Sequence, residues 1–495
     1  MAALMIQGCG SDVGKSVLVA GLCRVFANRG HVVRPFKPQN MSNNAAVTAP
    51  DETGQRGEIG RAQALQALAC RTPSTVDMNP VLLKPQSDVG AQLIVRGRVE
   101  ASYQAMAYQS RKAALLDVVL DSFRRLEAEA DIVIVEGAGS PAEVNLRQGD
   151  IANMGFALAA DVPVVLVGDI DRGHVIAALV GAHVVLDDAD RSAIKGFIIN
   201  KFRGDPDLFD DGRMEIVRRT DWPDMGMVPW LAAARRLPAE DAVVLDAPAV
   251  GETQRVKIVV PMFAHIANFD DFDPLQAEPS VDLVYIRPGE PLPGDADLVI
   301  LPGSKATLAD LAFVRAQGWD IDLAAHVRRG GRVLGVCGGF QMLGRTVADP
   351  GGIEGPAGSA QGLGLLDIDT VLSGDKVLRP CHGRLAADGA VYQGFEMHIG
   401  RTTGPALEHP LLIREDGSGE GAISANGRIA GCYVHRLFDA GPARAALLAR
   451  LGAASTGIDH DTEVDAALDA IAAALEIHLD IEALAVLAGL PKAAA

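Results

Sequence analysis

The sequence predicts an α/β protein with two doubly wound domains, each built on a mostly parallel sheet, and a helical C-terminal tail. Short apolar runs alternate with helix-like stretches from the first residue to about residue 229, the pattern of a parallel sheet covered on both faces. A new apolar run begins at Val256, and the alternation continues to about residue 451. Because the chain has 495 residues, 48% of them hydrophobic, we expect more than one core.

We place the first domain at residues 1–235, a linker at 236–255, the second domain at 256–451 and the tail at 452–495. The linker contains Ala, Pro and acidic residues with weak periodicity. In the tail, Ala, Leu and Ile alternate with acids at helical spacing, which predicts one or two packing helices. The sequence offers no catalytic residue in the tail.

Charge and cysteine content exclude several classes of protein. A formal net charge of −18 argues against nucleic acid or an acidic membrane surface as partners. Without a signal peptide or an uninterrupted apolar stretch of about 18 residues, we expect a cytoplasmic protein. The six cysteines form no CxxC pair, which weighs against a zinc site or a disulfide framework. A homo-oligomer is compatible with all of this.

The chain opens with a candidate phosphate-binding loop. Residues 4–7 predict a buried strand, and residues 17–26 predict the helix after the loop. The standard G-x-x-x-x-G-K-[ST] spacing requires Gly at the position of Cys9, but Gly8 and Gly10 flank it. Backbone N–H groups of such a loop hold phosphate oxygens, a lysine neutralises charge, and a Ser hydroxyl binds Mg²⁺. The alternative is a plain glycine-rich turn. The predicted ATP-binding residues here are Gly10, Ser11, Asp12, Gly14, Lys15 and Ser16, with Ser16 also a metal ligand.

Polar side chains end the later strands of this domain. Glu136 closes the apolar run 132–136, Asp169 and Asp171 follow the run 162–167, and Asn200 follows the run 196–199. In open α/β sheets, ligands bind at the carboxyl ends of the strands, so Asp169 and Asp171 are candidate substrate or metal contacts. An ionised Glu136 is costly to bury unless it is paired or metal-bound. Alternatively, Glu136 is an exposed residue at the start of a loop.

The loop resembles that of the dethiobiotin synthetase branch of P-loop enzymes, whose members activate carboxylates with ATP. The resemblance implies a P-loop NTPase-like fold and the use of ATP and Mg²⁺. It also implies that Lys37, in a Pro-Phe-Lys-Pro segment, contacts the transferring phosphate and that Glu136 binds Mg²⁺. Asn200 corresponds to the base-recognition corner of such domains, which makes it a further ATP-binding candidate.

A cysteine in the second domain has the surroundings of a nucleophile. Residues 332–336 predict a strand and residues 340–344 the opening of a helix, so Cys337 lies at the sharp turn between them. The amide of Gly338 and the turn at Gly303 are candidates for an oxyanion hole. His435 ends a later strand and is available as the base that a thiol nucleophile needs. Taken alone, Cys337 could equally be a buried structural cysteine.

These three segments resemble the class I glutamine amidotransferase domain, in which Cys attacks the glutamine side-chain amide and His transfers the proton that releases ammonia. Most members carry Glu two residues after that His, but here Arg436 and Leu437 follow His435. Asp439 and Glu396 are conceivable substitutes for the missing carboxylate, and the sequence decides for neither.

Together the halves describe a glutamine-hydrolysing amide synthetase. The stretches 37–44 and 268–275 resemble the cobyric acid synthase family, of the CobQ/CbiP type, over nearly the whole chain except the tail. The resemblance implies amidation of the b, d, e and g carboxylates of adenosylcobyrinic acid a,c-diamide in cobalamin biosynthesis. Glutamine donates the ammonia, ATP is a co-substrate, and no tightly bound organic cofactor is expected. Gln39 and Asn40 join the candidate contacts to the corrinoid substrate or to metal.

Three other functions stay open at this point. Cobyrinic acid a,c-diamide synthase shares both chemistries, and we expect it to differ in the segment that begins at Lys37. A CTP synthase-like amidotransferase joins related domains but usually retains the Glu that is missing after His435. A P-loop switch with a dead glutaminase is the non-catalytic alternative, and the intact Cys337 and His435 argue against it.

Overall fold

The computed structural model describes residues 2–87, 90–238, 255–374 and 376–491. Most of the expected linker, residues 239–254, lies outside the described residues. The two doubly wound domains with mostly parallel sheets and the C-terminal helices are as predicted. No helix within the described ranges is long and apolar enough to cross a membrane.

The first domain is built on a six-stranded sheet in which every neighbouring pair is parallel. Alternate residues of its central strand face two cores: Leu4 and Ile6 point to one face, Ala3 and Met5 to the other. Period-two burial on both faces is expected for a parallel sheet between helix layers. In spatial order the strands are Asp224–Pro229, Ile194–Phe202, Val164–Asp169, Ala2–Gly8, Ile132–Glu136 and Val33–Phe36.

Among the described residues of the first domain, seven α-helices pack on this sheet or on the strands beside it. They are Lys15–Asn28, which we call the P-loop helix, Arg61–Ala69, which we call the interface helix, and Ala105–Glu129, Met154–Ala160, Val175–Val185, Asp188–Ala193 and Asp210–Thr220.

Two smaller sheets extend the first domain toward the second. A four-stranded sheet orders Gln39–Met41, Val81–Ser87, Gly90–Val95 and Arg98–Gln104, and a hairpin joins Ala45–Val47 to Glu58–Gly60. Ala45, Leu82 and Ile94 from these sheets form one apolar cluster with Phe395 and Met397 of the second domain. The two domains therefore share a packed interface.

The second domain has its own six-stranded sheet, parallel except for one edge pair. In spatial order its strands are Val281–Ile286, Val256–Pro261, Leu298–Leu301, Arg332–Val336, Ile429–Cys432 and Ala422–Ile423. Its α-helices are Asp273–Gln276, Thr307–Ala316, Trp319–Arg328, Gly338–Met342 and Gly441–Ala449.

Shorter strands complete the second domain and bring its active-site segments together. Ile266–Ala267 pairs with Gly303–Ser304. A five-stranded sheet orders Gly419–Glu420, Leu412–Arg414, Val377–Leu385, Val391–His398 and Val434–His435. A four-stranded sheet orders Gly358–Gln361, Thr346–Asp349, Asp369–Val371 and Arg401–Thr403.

The tail forms two helices, His460–His478, which we call the tail helix, and Ile481–Ala488. Both pack on the first domain. A Cβ on Gly21 of the P-loop helix would clash with Leu475 and Ile471, so the two helices cross at close range there. The fully buried Arg24 pairs with Asp465 and Asp469 of the tail helix. The chain thus returns from the second domain to cover the P-loop helix.

Candidate active sites

The loop before the P-loop helix has the geometry of a phosphate cradle. Gly14 has a φ of 91°, a conformation that favours glycine, and it lies directly before the helix. The Nζ of Lys15 folds back over the loop and donates to the carbonyl oxygens of Gly10 at 2.9 Å and Gly139 at 3.2 Å. The predicted strand and helix on either side are present, as Ala2–Gly8 and Lys15–Asn28.

Glu136 lies at the centre of a buried polar cluster beside this loop. It is 1% exposed, and its Oε1 accepts hydrogen bonds from Ser16 Oγ at 2.8 Å and from Lys37 Nζ at 2.9 Å. Gln66 of the interface helix donates to its Oε2 at 2.5 Å. A carboxylate and a serine hydroxyl beside a phosphate loop match the oxygen ligands that Mg²⁺ prefers, with nucleotide phosphates supplying further oxygens. Sequence reasoning brought Ser16, Lys37 and Glu136 forward but missed Gln66.

The acids that follow the next strand carry cationic partners. Lys201 Nζ donates to Asp169 Oδ2 at 2.9 Å and also to the carbonyl of Asp12 in the phosphate loop. Arg203 Nε donates to Asp171 Oδ1 at 2.7 Å. Lys201 therefore links Asp169 to the phosphate loop, whereas Asp171 pairs with Arg203. Ser11 lies in the same turn as Asp12, between Gly10 and Gly14.

The remaining candidates of the first domain lie on both sides of this cluster. Asn200 Nδ2 donates to the carbonyl of Val13 at 2.8 Å, so the side chain holds the phosphate loop. Asn40 is buried and donates to Gln63 of the interface helix at 3.0 Å. Gln39 is half-buried on the same short strand. Among the described residues, no three His, Cys, Asp or Glu side chains converge as a metal site on their own.

Cys337 occupies a strained turn between the strand Arg332–Val336 and the helix Gly338–Met342. Its φ of 50° and ψ of −110° are rare for a residue with a side chain, and such conformations cost of order 1–3 kcal/mol. The residue is 8% exposed and lines a pocket at the domain interface. Gly338 and Gly303 line the same pocket, and a Cβ on Gly338 would approach the backbone nitrogen of Ser304. The turn thus brings the thiol and both candidate oxyanion-hole segments together.

His435 lines the pocket beside Cys337 and is held by Asp271. Its Nδ1 lies 2.7 Å from Asp271 Oδ2, and the ring stacks on Phe395 with a centroid distance of 5.4 Å. Burial would lower the pKa of His435, but the Asp271 carboxylate and Cys337, which hydrogen-bonds to the ring, outweigh it and raise the pKa to about 10. Cys337, His435 and Asp271 form the Cys-His-carboxylate arrangement of nucleophilic acyl transfer.

Neither carboxylate that we considered from sequence reaches His435. Glu396 accepts hydrogen bonds from Arg379 and Arg414 at 2.7–3.0 Å. It cannot turn to the histidine because strand alternation sends it to the opposite face from Phe395, which pairs with His435. Asp439 accepts instead from Arg436 Nε at 2.5 Å. Both substitutes are therefore wrong.

Ionised side chains from both domains surround the Cys337 pocket. Lys84 from the first domain lines it and donates to Glu58 Oε2 at 2.5 Å, while Lys376 from the second domain pairs with the other oxygen of Glu58. Burial lowers the pKa of Lys84 to about 7, and it lowers that of the nearby Lys305 to about 8. Burial would raise the pKa of Glu58, but Lys376 and Lys84 hold it below its ordinary value.

The interface helix contacts both sites. At its start, Arg61 Nε donates to Asp270 Oδ2 at 2.6 Å, next to Asp271. Five residues later, Gln66 reaches Glu136. One short helix thus contacts both the neighbour of the His435 partner and the carboxylate beside the phosphate loop.

Comparisons with known proteins agree with this two-site arrangement. Residues 4–244 match the CobQ/CobB/MinD/ParA nucleotide binding domain, and residues 257–443 match the CobB/CobQ-like glutamine amidotransferase domain. Cobyric acid synthase from Caulobacter sp. strain K31 is 70% identical over 99% of this chain and 100% of its own length. Cobyric acid synthases from Bradyrhizobium sp. strain BTAi1 and Methylocella silvestris are 59% and 60% identical over at least 98% of both chains.

The chain belongs to the cobyric acid synthase family. This membership confirms the resemblance drawn from the sequence. The protein is therefore an enzyme, an amide-forming ligase with a glutamine amidotransferase domain. The comparisons extend through the tail, which the sequence-based resemblance did not cover. The C-terminal helices therefore lie within the part of the chain that is similar to these three relatives.

Sequence reasoning missed Asp271 although the segment around it was one of those that indicated the family. The signal was present as two adjacent acids, Asp270 and Asp271, in an otherwise aromatic stretch. Asp271 lies 164 positions before His435, so no spacing rule connects the two.

Proposed function

We propose that this member of the cobyric acid synthase family amidates the b, d, e and g carboxylates of adenosylcobyrinic acid a,c-diamide, with glutamine as ammonia donor and ATP as activator. The similarity to cobyric acid synthases supports the product. The observation that carries the mechanism is the Cys337–His435–Asp271 arrangement on one side of a domain interface and the Glu136 cluster on the other. The cytoplasm is the proposed compartment, and the partners are small molecules.

In the proposed glutaminase step, the thiolate of Cys337 attacks the side-chain carbonyl of glutamine. The oxyanion that forms faces the backbone amides around Gly303 and Gly338. His435 carries the proton from the thiol to the leaving nitrogen, so that ammonia departs and a glutamyl thioester remains. Water then attacks the thioester, with His435 accepting its proton, and the Cys337 thiolate leaves as glutamate is released. Asp271 keeps the His435 ring oriented and stabilises its charged form.

In the proposed synthetase step, the corrinoid carboxylate becomes an acyl phosphate that ammonia can attack. A free carboxylate resists amidation because oxide is a poor leaving group, and phosphoryl transfer removes that barrier. The loop residues Gly10, Ser11, Asp12 and Gly14, with Lys15, hold the ATP phosphates. Mg²⁺, bound through Ser16 and Glu136, would neutralise charge on the transferring phosphate. Lys37 is positioned to follow that phosphate because it already contacts Glu136.

The remaining predicted contacts flank this centre. Asn200 shapes the nucleotide side of the loop through Val13. Gln39 and Asn40 lie on the strand next to the interface helix, where an acceptor carboxylate would lie between the two sites. Asp169 and Asp171 are proposed as outer contacts to metal or substrate, with Asp169 the nearer to the loop.

Ammonia has to remain uncharged between the two sites in order to act as a nucleophile. Lys84, Lys305 and Lys376 line the Cys337 pocket, and in their charged forms they disfavour ammonium there by like-charge repulsion. Glu58, held between Lys84 and Lys376, lies beside the pocket on the side of the first domain. We propose that ammonia leaves the pocket past this ion-pair cluster.

Mass spectrometry of the corrinoid tests the whole proposal. Cobyrinic acid a,c-diamide, offered with Mg·ATP and glutamine, should lose about one mass unit for each acid that becomes an amide, in four steps. Fewer than four steps would mean that the enzyme amidates fewer than the four proposed carboxylates. No mass shift at all would contradict the proposed corrinoid substrate.

Two variants separate the sites. Cys337→Ala should abolish amidation with glutamine and retain it with an ammonium salt, whereas Lys15→Ala should abolish both. Normal use of glutamine by Cys337→Ala would contradict the role given to the thiol.

A further inference from the structure

The residue after His435 has an unfavourable backbone conformation. Arg436 has a φ of 62°, in the left-handed region that residues with a side chain rarely adopt. In this conformation its N–H donates to Asp271 Oδ1 at 2.8 Å, while His435 Nδ1 faces Asp271 Oδ2 at 2.7 Å. Two consecutive residues therefore hold both oxygens of one carboxylate, and this depends on the left-handed turn at Arg436.

The side chain of Arg436 is tied at two points. Its Nε donates to Asp439 Oδ2 at 2.5 Å, and its guanidinium also pairs with Asp461. Asp439 belongs to the same loop and is 4% exposed at its side chain, so this contact is internal to the second domain. Asp461 is the second residue of the tail helix, and it comes from outside the glutaminase-like domain.

The tail helix gives Asp461 a fixed position. Farther along, Ile471 and Leu475 pack against Gly21 of the P-loop helix, and Asp465 and Asp469 pair with the buried Arg24. At its beginning, the N–H of His460 donates to the carbonyl oxygen of Asp439 at 2.9 Å. Asp461 is thus anchored between the two domains, and it holds Arg436 from that anchor.

We propose that Arg436 is a positioning residue for Asp271 and His435, and that Asp461 of the tail supplies its anchor. The proposal rests on the glutaminase function proposed above. Arg436 acts through Asp271 and not on glutamine, because its side chain lines a separate cavity of about 280 Å³ on the other side of Phe395, whose ring covers His435. The tail, which has no catalytic residue of its own, then completes the glutaminase site.

A pair of variants distinguishes positioning from general stabilisation. Arg436→Ala loses the two ion pairs but keeps the steric penalty of a left-handed backbone, so the loop should relax and carry the N–H away from Asp271. Arg436→Gly loses the same ion pairs, yet glycine adopts this φ without penalty. We expect the kcat for glutamine hydrolysis to fall at least tenfold in Arg436→Ala and about threefold in Arg436→Gly, with KM for glutamine unchanged in both.

Asp461→Asn tests the anchor without touching the loop. We expect a three- to tenfold loss of kcat at unchanged KM, because the guanidinium keeps only Asp439. Arg436→Lys should fall between the wild type and Arg436→Ala, since one ammonium cannot serve both carboxylates as the guanidinium fork does. Arg345, an exposed arginine paired with Asp367 and Asp369, supplies the matched Ala and Gly control pair, and neither change should alter hydrolysis.

Ammonium-driven amidation, measured in every variant, reports whether the chain is folded and the synthetase step intact, and we expect it to stay within twofold of wild type. The inference is overturned if Arg436→Gly is as slow as Arg436→Ala, or if both hydrolyse glutamine at the wild-type rate. An undiminished kcat in Asp461→Asn would remove the tail from the site. A wild-type enzyme that amidates with ammonium but hydrolyses no glutamine would instead contradict the proposed glutaminase function, on which the inference depends.

Discussion

Replacing Asp271 by Asn removes the charge that holds His435 while leaving the shape of the side chain. The pKa of His435 lies at about 10, against an ordinary value of 6.5. At 1.36 kcal/mol per pKa unit, this rise corresponds to roughly 5 kcal/mol in favour of the charged ring. Burial opposes the rise, and Asp271 and Cys337 together produce it. Removing one partner of a buried ion pair costs roughly 3 kcal/mol or more, and we take roughly 3 kcal/mol for the loss of the Asp271 charge.

A loss of roughly 3 kcal/mol corresponds to about a hundredfold lower kcat for glutamine hydrolysis in Asp271→Asn. The assay is the initial rate of glutamate release, with ammonium-driven amidation as the control for an intact synthetase step. Because a charged ring beside Cys337 favours its reaction as a nucleophile, iodoacetamide should alkylate the variant more slowly than the wild type at one fixed pH.

Glu396→Gln provides the comparison, because Glu396 is equally buried but pairs with Arg379 and Arg414. Glu396→Gln should leave the rate of alkylation at that pH unchanged. If Asp271→Asn keeps its kcat within threefold while Glu396→Gln loses it, the assignment of the carboxylate is wrong.

Three further changes test the surroundings of the two sites. Glu58→Gln should raise the ratio of glutamine hydrolysed to amide formed above one, because Lys84 and Lys376 lose the carboxylate that joins them. The exposed control Glu52→Gln should keep this ratio at one. A ratio of one in Glu58→Gln as well would exclude a role for Glu58 in ammonia transfer. Gln66→Leu should slow ammonium-driven amidation about tenfold by leaving Glu136 Oε2 without its donor, and an unchanged rate would show that this hydrogen bond is dispensable. Burial raises the pKa of Glu420 to about 7 from 4.5, so the stability that its neutral form contributes is full below pH 4.5 and is lost as pH rises through 7. Glu420→Gln should therefore raise the free energy of unfolding by up to about 3 kcal/mol at pH 8 and leave it unchanged at pH 4. Thermal unfolding at the two pH values measures this difference. The exposed Glu415→Gln is its control, and an equal gain at both pH values would contradict the reasoning.

The sequence predicted those parts of the fold and the sites that depend on local pattern. The strand at 132–136 and the strand at 332–336 lie where the apolar runs placed them, because each run is buried on both faces and ends in a turn. Parallel strands bring their carboxyl ends to one edge of the sheet, which places Lys15 and Ser16 near Glu136. The alternation of strands and helices along the sequence is enough to predict such a sheet. The helix after Cys337 begins at Gly338, two residues earlier than predicted, since glycines gave no periodic signal.

Contacts between distant segments could not be predicted in this way. Gln66 and Glu58 belong to a helix and a hairpin that the sequence did not single out. Gln66 meets Glu136 through the folding of the first domain, and Glu58 meets Lys376 only when the two domains pack. The tail helices were expected from periodicity, but their apolar faces gave no information about which domain they cover. Only the packing of Leu475 against the P-loop helix decides that question.

The position of the triad carboxylate explains why these distant contacts matter. In a chain that carries the carboxylate two residues after the histidine, one strand end fixes both groups. Here Asp271 comes from a segment whose neighbour, Asp270, is held by Arg61 of the first domain, and whose other contact, Arg436, is held by the tail. Asp271 is contacted from within the glutaminase-like domain, by His435 and Arg436, but its neighbour Asp270 and its partner Arg436 each form an ion pair with a residue outside that domain. A second domain separated from the first and from the tail would keep Cys337 at its turn and keep the contact between Asp271 and His435, but it would lose the two ion pairs that support this contact from outside. We therefore expect glutamine hydrolysis to depend on an assembled interface.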